Sequence, residues 1–273
     1  MNSSDDWKRI LERATLEVQK AVADVASKGE RTNSVGTGAS GDKTLVADKQ
    51  AEDLLLGHLS QIPRLRVISE EAGEMGPADA GFVAVIDPLD GSSNFERGVP
   101  FYCSSVGVAD GPTLGSMKHA LVRNLITGDV YWAERGKGAT KNGQLITTNA
   151  GKELRSAVAA IDVSRASVST VNALAPLISE VGRQVHLGAN ALELCLLAEG
   201  AVDIVTDVRG RARFVDLAGA YLVAKEAGAM ITDPSGRPIE RPMTLKARFD
   251  YVASADAGLH QLVLKRLALP DKA

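Results

Sequence analysis

The apolar run FVAVI, residues 82–86, ends directly in Asp87, and the sequence continues PLDGSSNF. A short run of that kind reads as a strand buried on both faces. An unpaired charge inside such a strand is costly. Asp87 therefore belongs at its C-terminal edge, where α/β sheets open crevices to ligands. Pro88 fixes one backbone dihedral and Gly91 permits a tight bend, so Asp87 and Asp90 can be aimed at one point. A polar turn capping the strand, with Asp90 and Ser92 as side-chain turn formers, accounts for the bare string DPLDG equally well. The residues from Gly91 onward add backbone N–H groups that can cradle an anion. Carboxylates and a bound anion share one place only if cations lie between them, which is the layout of metal-assisted phosphoryl transfer.

The chain around this stretch has 273 residues, enough for one large domain or two medium ones. Asp5 and Asp6 can cap a helix starting near Trp7, and apolar residues then recur at three- and four-residue steps to Val25. That amphipathic, charged N-terminus reads as neither a signal peptide nor a membrane span. Residues 29–44, rich in Gly, Ser and Thr, read as a mobile loop, followed by a helix through VADKQAEDLLLGHL, a strand LRVIS and an acidic loop EEAGEMGPADAG. Strands with hairpin turns at TG and KNG fill the middle, and from about residue 151 strands alternate with helices. The expected fold class is α/β in layers, an α+β subdomain over 1–150 carrying most acidic ligands and an α/β subdomain over 151–273 supplying Asp216 and substrate contacts.

Further acids are available to converge on Asp87. SEEAGE offers Glu70, Glu71 and Glu74, VADKQAED offers Asp48 and Glu52, and FVDLAGAY offers Asp216. Each has a plain alternative: a solvated acidic loop, surface carboxylates of a helix, and a helix N-cap. Four scattered histidines and two isolated cysteines, Cys103 and Cys195, do not form the clusters that zinc or iron want, so an all-oxygen set suits Mg²⁺, with Mn²⁺ as a substitute. The cysteines read as reduced, buried thiols of a cytoplasmic protein, a disulfide being the other option. A net charge of −3 steers the chain toward no nucleic acid.

Together, Asp48 with Glu52, Glu70-Glu71, Asp87 through Asn94, and Asp216-Leu-Ala-Gly-Ala resemble the pattern of the inositol monophosphatase and fructose-1,6-bisphosphatase superfamily, in an order that covers nearly the whole chain. DVRGRARFVDLAGA, from Asp207, is most similar to the archaeal-type branch. The resemblance implies an αβαβα sandwich of the sugar phosphatase type. It implies a first Mg²⁺ on Glu70, Asp87 and the carbonyl of Leu89, a second on Asp87, Asp90 and Asp216, and a third, weaker ion near Glu70. It implies that Ser92 holds the attacking water and passes a proton to Asp48, and that the N–H groups of Gly91 and Ser92 bind phosphate, with Ser93 and Asn190 as further substrate contacts. The implied reaction is hydrolysis of inositol monophosphate by metal-activated water without a covalent intermediate. Fructose 1,6-bisphosphate and then 3′-phosphoadenosine 5′-phosphate are the alternative substrates. Lithium sensitivity, a homodimer and the absence of membrane association belong to the same expectation. Departures from the pattern are Val215 where tryptophan is common, Ser69 for glycine, Ser92 for threonine, and LGAN at 187–190 for Gly-Ser/Thr-Ala-Ala.

Arg209, Arg211 and Arg213 alternate before Asp216 and in an extended segment share one face. They read either as contacts to a second substrate phosphate, which puts Arg209 and Arg211 among the substrate-binding candidates, or as a solvated edge or dimer contact. Arg165 and Arg183 are weaker candidates. The 29–44 loop reads as a lid that brings Asp42 to the metals, or as a solvated linker. A catalytically inactive, phosphate-binding regulator is the alternative of another class, as is a Ca²⁺ module, although EF-hand spacing is absent.

Overall fold

The computed structural model describes residues 4–39, 41 and 43–267. Helix α1, Ser4–Ser27, starts before the expected Trp7, so Asp5 and Asp6 lie in its first turn, where they face the positive end of the helix dipole. It buries Trp7, Leu11, Ala14, Val18, Val22 and Val25 along one stripe. Burying a side chain of leucine size contributes about 1.5–3 kcal/mol, so this stripe fixes the helix to the sheet beneath it.

A small hairpin, β1 (Ser34–Thr37) and β2 (Lys43–Leu45), then leads into α2 (Val46–Leu59). Part of the expected loop is therefore strand. The hairpin is anchored through Lys43 to Glu96 at 2.5 Å, and Arg31 in the turn before it donates to the Phe95 carbonyl at 3.2 Å. The expectation for Asp42 falls outside the described residues.

The first half forms an eight-stranded sheet, in the order β10-β9-β8-β7-β6-β5-β3-β4. Its strands are β3 (Leu65–Ser69), β4 (Gly73–Met75), β5 (Phe82–Asp90), β6 (Cys103–Ala109), β7 (Met117–Asn124), β8 (Val130–Glu134), β9 (Ala139–Lys141) and β10 (Gln144–Ile146). Only β3 and β5 pair in parallel. Short helix α3, Ser92–Arg97, follows β5. The expected acidic loop at 70–81 thus contains a strand, β4, that turns back antiparallel on β3.

The second half forms a five-stranded sheet, ordered β12-β11-β13-β15-β14. Its elements run β11 (Val158–Ile161), α4 (Val168–Glu180), β12 (Arg183–Val185), α5 (Asn190–Ala198), β13 (Ile204–Ala212), α6 (Phe214–Glu226), β14 (Met230–Thr232), β15 (Phe249–Ser254) and α7 (Ala257–Arg266). Helices α1 and α2 cover one face of the large sheet, α5 and α6 lie between the sheets, and α4 and α7 pack together on the outside. This is the αβαβα layering expected from the resemblance. The change from one sheet to the other falls between Ile146 and Val158, yet one buried cluster runs from Ile68 through Ala220 to Val263. Among the described residues no helix is long and apolar enough to cross a membrane. Cys103 and Cys195 are free and buried.

Candidate active site

Strand β5 does not stop at Asp87. It continues to Asp90, with its register against β6 broken between the two aspartates. The break lets both carboxylates leave the ladder on the same side instead of alternating across it. Gly91 follows with φ +88°, and a side chain there would crowd the Phe101 carbonyl and the Ala189 methyl. Glycine is thus required both for the left-handed turn and for the close approach. Ser92 and Ser93 open α3, where the first N–H groups of a helix have no intrahelical acceptor. Asn94 ties this turn to the opposite loop by donating to the carbonyls of Phe101 at 2.8 Å and Leu187 at 2.7 Å.

Glu70, Asp87 and Asp216 each offer an oxygen, and the three oxygens lie within 4.8 Å of one another. They come from the residue after β3, the C-terminal half of β5 and the first turn of α6. Asp216 is the third residue of α6, and its carboxylate accepts from the backbone N–H of Arg213 at 3.1 Å. It is therefore not the N-cap residue of the plain sequence reading. Asp48 occupies the same position on α2 and accepts from the Leu45 N–H at 2.7 Å. Both halves of the molecule aim an acid by one device, a third-position carboxylate reaching back to the cap.

Asp90 Oδ2 accepts from the Ala191 N–H at the start of α5 at 2.8 Å and from the Cys103 thiol at 3.6 Å. Leu89 is buried, and its N–H donates to Asp87 Oδ1 at 3.1 Å. Asp48 and Glu52 are both buried rather than surface carboxylates. Glu52 accepts from Ser69 Oγ and the Ala72 N–H, which holds the Glu70-Glu71 turn in place. Glu71 receives the Thr44 hydroxyl, and the Ala39 N–H donates to its carbonyl at 2.9 Å. Glu74 points elsewhere, to Arg66 at 2.6 Å and the Leu245 N–H at 2.9 Å.

Burial pushes Asp48 up to about 7 despite the Leu45 N–H, with Glu71, Glu70 and Glu52 adding to the rise. Burial also takes Glu70 up to about 7, opposed by Arg213 and reinforced by Asp216. Asp90 rises to about 8 through burial and the Asp216 charge. Asp87 is pushed well above the carboxylate range by burial, then by Glu70, Asp90 and Asp216. Carboxylates so crowded stay ionised only beside a strong positive charge. Their donor atoms are all oxygen, which fits a hard divalent cation.

Asp90, Gly91, Ser92, Ser93, Asn190 and Asp216 line a cleft of about 360 Å³ together with Arg165, Arg209, Arg211, Arg213 and Arg248. All three alternating arginines line this cleft, but not as a regular strand face, because Gly210 has φ +69° and the β13–β15 register shifts between Asp207 and Ala212. Arg209 is held by Asp207 at 2.7 and 2.8 Å, by Asp162, and by the Ser164 carbonyl at 2.7 Å. Arg211 is exposed. Arg213 turns inward to Glu70 and Asp216 at 2.6 and 2.7 Å. Arg183 lies on β12, away from the cleft lining.

The sequence reading missed Arg248, which sits in irregular chain before β15. It also missed Asp162, His186 and Glu193. Buried Glu193 accepts from the N–H groups of Leu187 and Gly188, the latter at 3.1 Å, and so shapes the turn that carries Asn190. A glutamate among buried apolar neighbours in ANALELC was the available signal. His186 lies between Glu193 at 3.3 Å and Asp162 at 3.5 Å, with Nδ1 out of line for a hydrogen bond to Glu193. A larger cavity of about 790 Å³ between the 233–241 segment and β15 shares Arg248 with the cleft but holds none of the converging carboxylates.

The surroundings of this site are matched in known proteins. The chain is 33% identical over 272 residues to a fructose-1,6-bisphosphatase/inositol-1-monophosphatase of Methanothermobacter thermautotrophicus, covering 96% of both proteins. It is 30% identical over 262 residues to an inositol-1-monophosphatase of Aeropyrum pernix, covering 93% of this chain and 96% of that one. A crystal structure of an inositol monophosphatase–fructose 1,6-bisphosphatase superposes with a TM-score of 0.85 at 31% identity, over 96% of this chain and 99% of the other. The pattern that defines the inositol monophosphatase family matches residues 5–268, and the chain, a phosphomonoesterase, belongs to that family.

Proposed function

We propose that this protein hydrolyses inositol monophosphate by attack of water, with Mg²⁺ as the working ion and Mn²⁺ able to substitute. The observation that carries the reading is the convergence of Glu70, Asp87 and Asp216 within 4.8 Å at one end of the cleft. Glu70, Asp87, Asp90, Asp216 and the Leu89 carbonyl would hold the metal. Bound there, the metal supplies a strong Lewis acid that activates water and stabilises the leaving oxygen. The chain's own residues do the rest. The N–H groups at Gly91, Ser92 and Ser93 orient the phosphoryl oxygens. The Ser92 hydroxyl positions the attacking water and hands a proton toward Asp48, whose raised affinity for protons near neutrality suits a base. Asn190 faces the polyol.

A second substrate, fructose 1,6-bisphosphate, is favoured by a specific feature, the arginines on the far side of the cleft. Arg211 and Arg248 would meet a second phosphate. The names of similar proteins pair the same two substrates. The unpaired thiols Cys103 and Cys195 suit a cytoplasmic setting. A homodimer is the assembly expected, to be checked by sedimentation.

Phosphate release from inositol 1-phosphate, fructose 1,6-bisphosphate and 3′-phosphoadenosine 5′-phosphate, with and without Mg²⁺ and with added Li⁺, tests the reading. Release that is Mg²⁺-dependent, Li⁺-sensitive and fastest on the first two supports it. Release confined to the adenosine compound refutes it.

A further inference from the structure

We propose that Arg213 competes with the divalent metal for the carboxylates of Glu70 and Asp216, and so sets how tightly this protein holds metal. The inference rests on the metal-dependent reading above. Arg213 is the residue before α6, and its side chain is only 17% exposed. Its Nη1 donates to Glu70 Oε1 at 2.6 Å and its Nη2 to Asp216 Oδ1 at 2.7 Å. Its Nε lies 3.1 Å from both Asp216 oxygens, and its backbone N–H adds a contact to Oδ2. Both oxygens of Asp216 therefore already face one guanidinium.

Two of the three residues whose oxygens converge are partners of this arginine. A cation entering among Glu70, Asp87 and Asp216 meets a like charge at close range, where the surroundings are dry and screening is weak. Mg²⁺ demands near-ideal octahedral geometry with short bonds to oxygen, so it tolerates little sharing of the same lone pairs. Metal entry has to turn the guanidinium aside. The space open to it is the cleft, which Arg213 already lines with Arg209 and Arg211. A fixed Arg213 that merely held Glu70 and Asp216 in position would have the opposite effect, because its loss would scatter the ligands and weaken metal binding.

The sign of one measurement separates the two. Mg²⁺ is titrated calorimetrically into the full chain after chelator dialysis, for wild type, Arg213→Gln and Arg213→Lys. Thermal melts in chelator accompany the titrations. Arg213→Gln is expected to bind Mg²⁺ about 10-fold more tightly, within the usual range for coupled ligands. The same variant is expected to melt lower in chelator, because the acids lose their counter-charge. Arg213→Lys keeps the charge without the fork and falls between the two. It carries the test if the glutamine variant does not fold. Weaker or unchanged Mg²⁺ binding in a folded variant overturns the proposal. Failure of wild type and both variants to take up Mg²⁺ overturns the metal reading itself, a separate result.

Discussion

The two sides of the cleft handle charge in opposite ways. On one side Glu70, Asp87 and Asp90 are packed so closely that burial and mutual repulsion drive each toward its neutral form. On the other side Arg209 is matched by acids, forked onto Asp207 and touching Asp162. Asp162 lies in turn 3.5 Å from His186, which adjoins Glu193. On the acidic side, among the described residues, the paired cation is the guanidinium of Arg213. The basic side is balanced at Arg209, while Arg165, Arg211 and Arg248 are exposed. Imbalance marks where chemistry is done, and balance marks where a wall is built.

The largest effect should come from breaking the acidic side. Asp87→Asn is expected to lower phosphate release about 10³-fold, the scale seen when one charge-stabilising group is removed. Its melting temperature in chelator should rise, since the folded chain no longer has to take up a proton at this buried position. A variant that keeps its activity would remove Asp87 from the metal site. Next, Arg209→Ala leaves Asp207 and Asp162 without their cation, and breaking a buried pair costs about 3–5 kcal/mol. Denaturant unfolding reads this, and the loss should appear in stability with or without substrate. Arg211→Ala should instead leave stability alone and raise KM for fructose 1,6-bisphosphate roughly tenfold, the worth of one hydrogen bond to a charged group. Its KM for inositol 1-phosphate should barely move.

The smallest effect, a pH trend, sharpens the comparison further. Glu70 and Asp48 at about 7 and Asp90 at about 8 hold protons that the unfolded chain releases near its ordinary carboxylate values. More protons bound in the folded state means that stability falls as pH rises through that window. His186 is raised by Glu193, against the effect of burial, with Asp162 adding to the rise. Its contribution is full below the ordinary histidine value and is lost as pH rises through the raised one. Melts across neutral pH should slope downward in chelator, and saturating Mg²⁺ should flatten the carboxylate part alone. The remaining slope should vanish in His186→Gln.

How much of this was legible in the sequence depends on how local each signal was. DPLDGSSNF carries its turn, its acids and its N–H cradle within one short stretch, so the site's centre could be read directly. Asp48, Glu52 and Asp216 have local alternatives as good as their functional reading, and only the packing of α2 and α6 decides. The arginines read as an even alternation because sequence alone does not reveal the left-handed residue at Gly210 or the register shift it lies in within β13. Arg248 had no local pattern at all. Its place in the cleft depends on the path of irregular chain between β14 and β15. The layered order followed from the switch between strand-rich and alternating segments, whereas the β1–β2 hairpin was hidden by a composition typical of loops.

Helix α6 lies against β6 with almost nothing between them. A methyl group added at Gly107 would come 2.9 Å from the Ala218 carbonyl carbon and the Gly219 nitrogen, and one at Gly219 would press on Ser105 and Val106. Because α6 carries Asp216 while β6 runs beside the strand bearing Asp87, the gauge of that backbone-to-backbone seam is also the span of the acidic triangle. Enlarging either glycine would widen the triangle by the same wedge that separates the layers. Attempts to fill the interior at this seam would therefore register in turnover as well as in a melting curve.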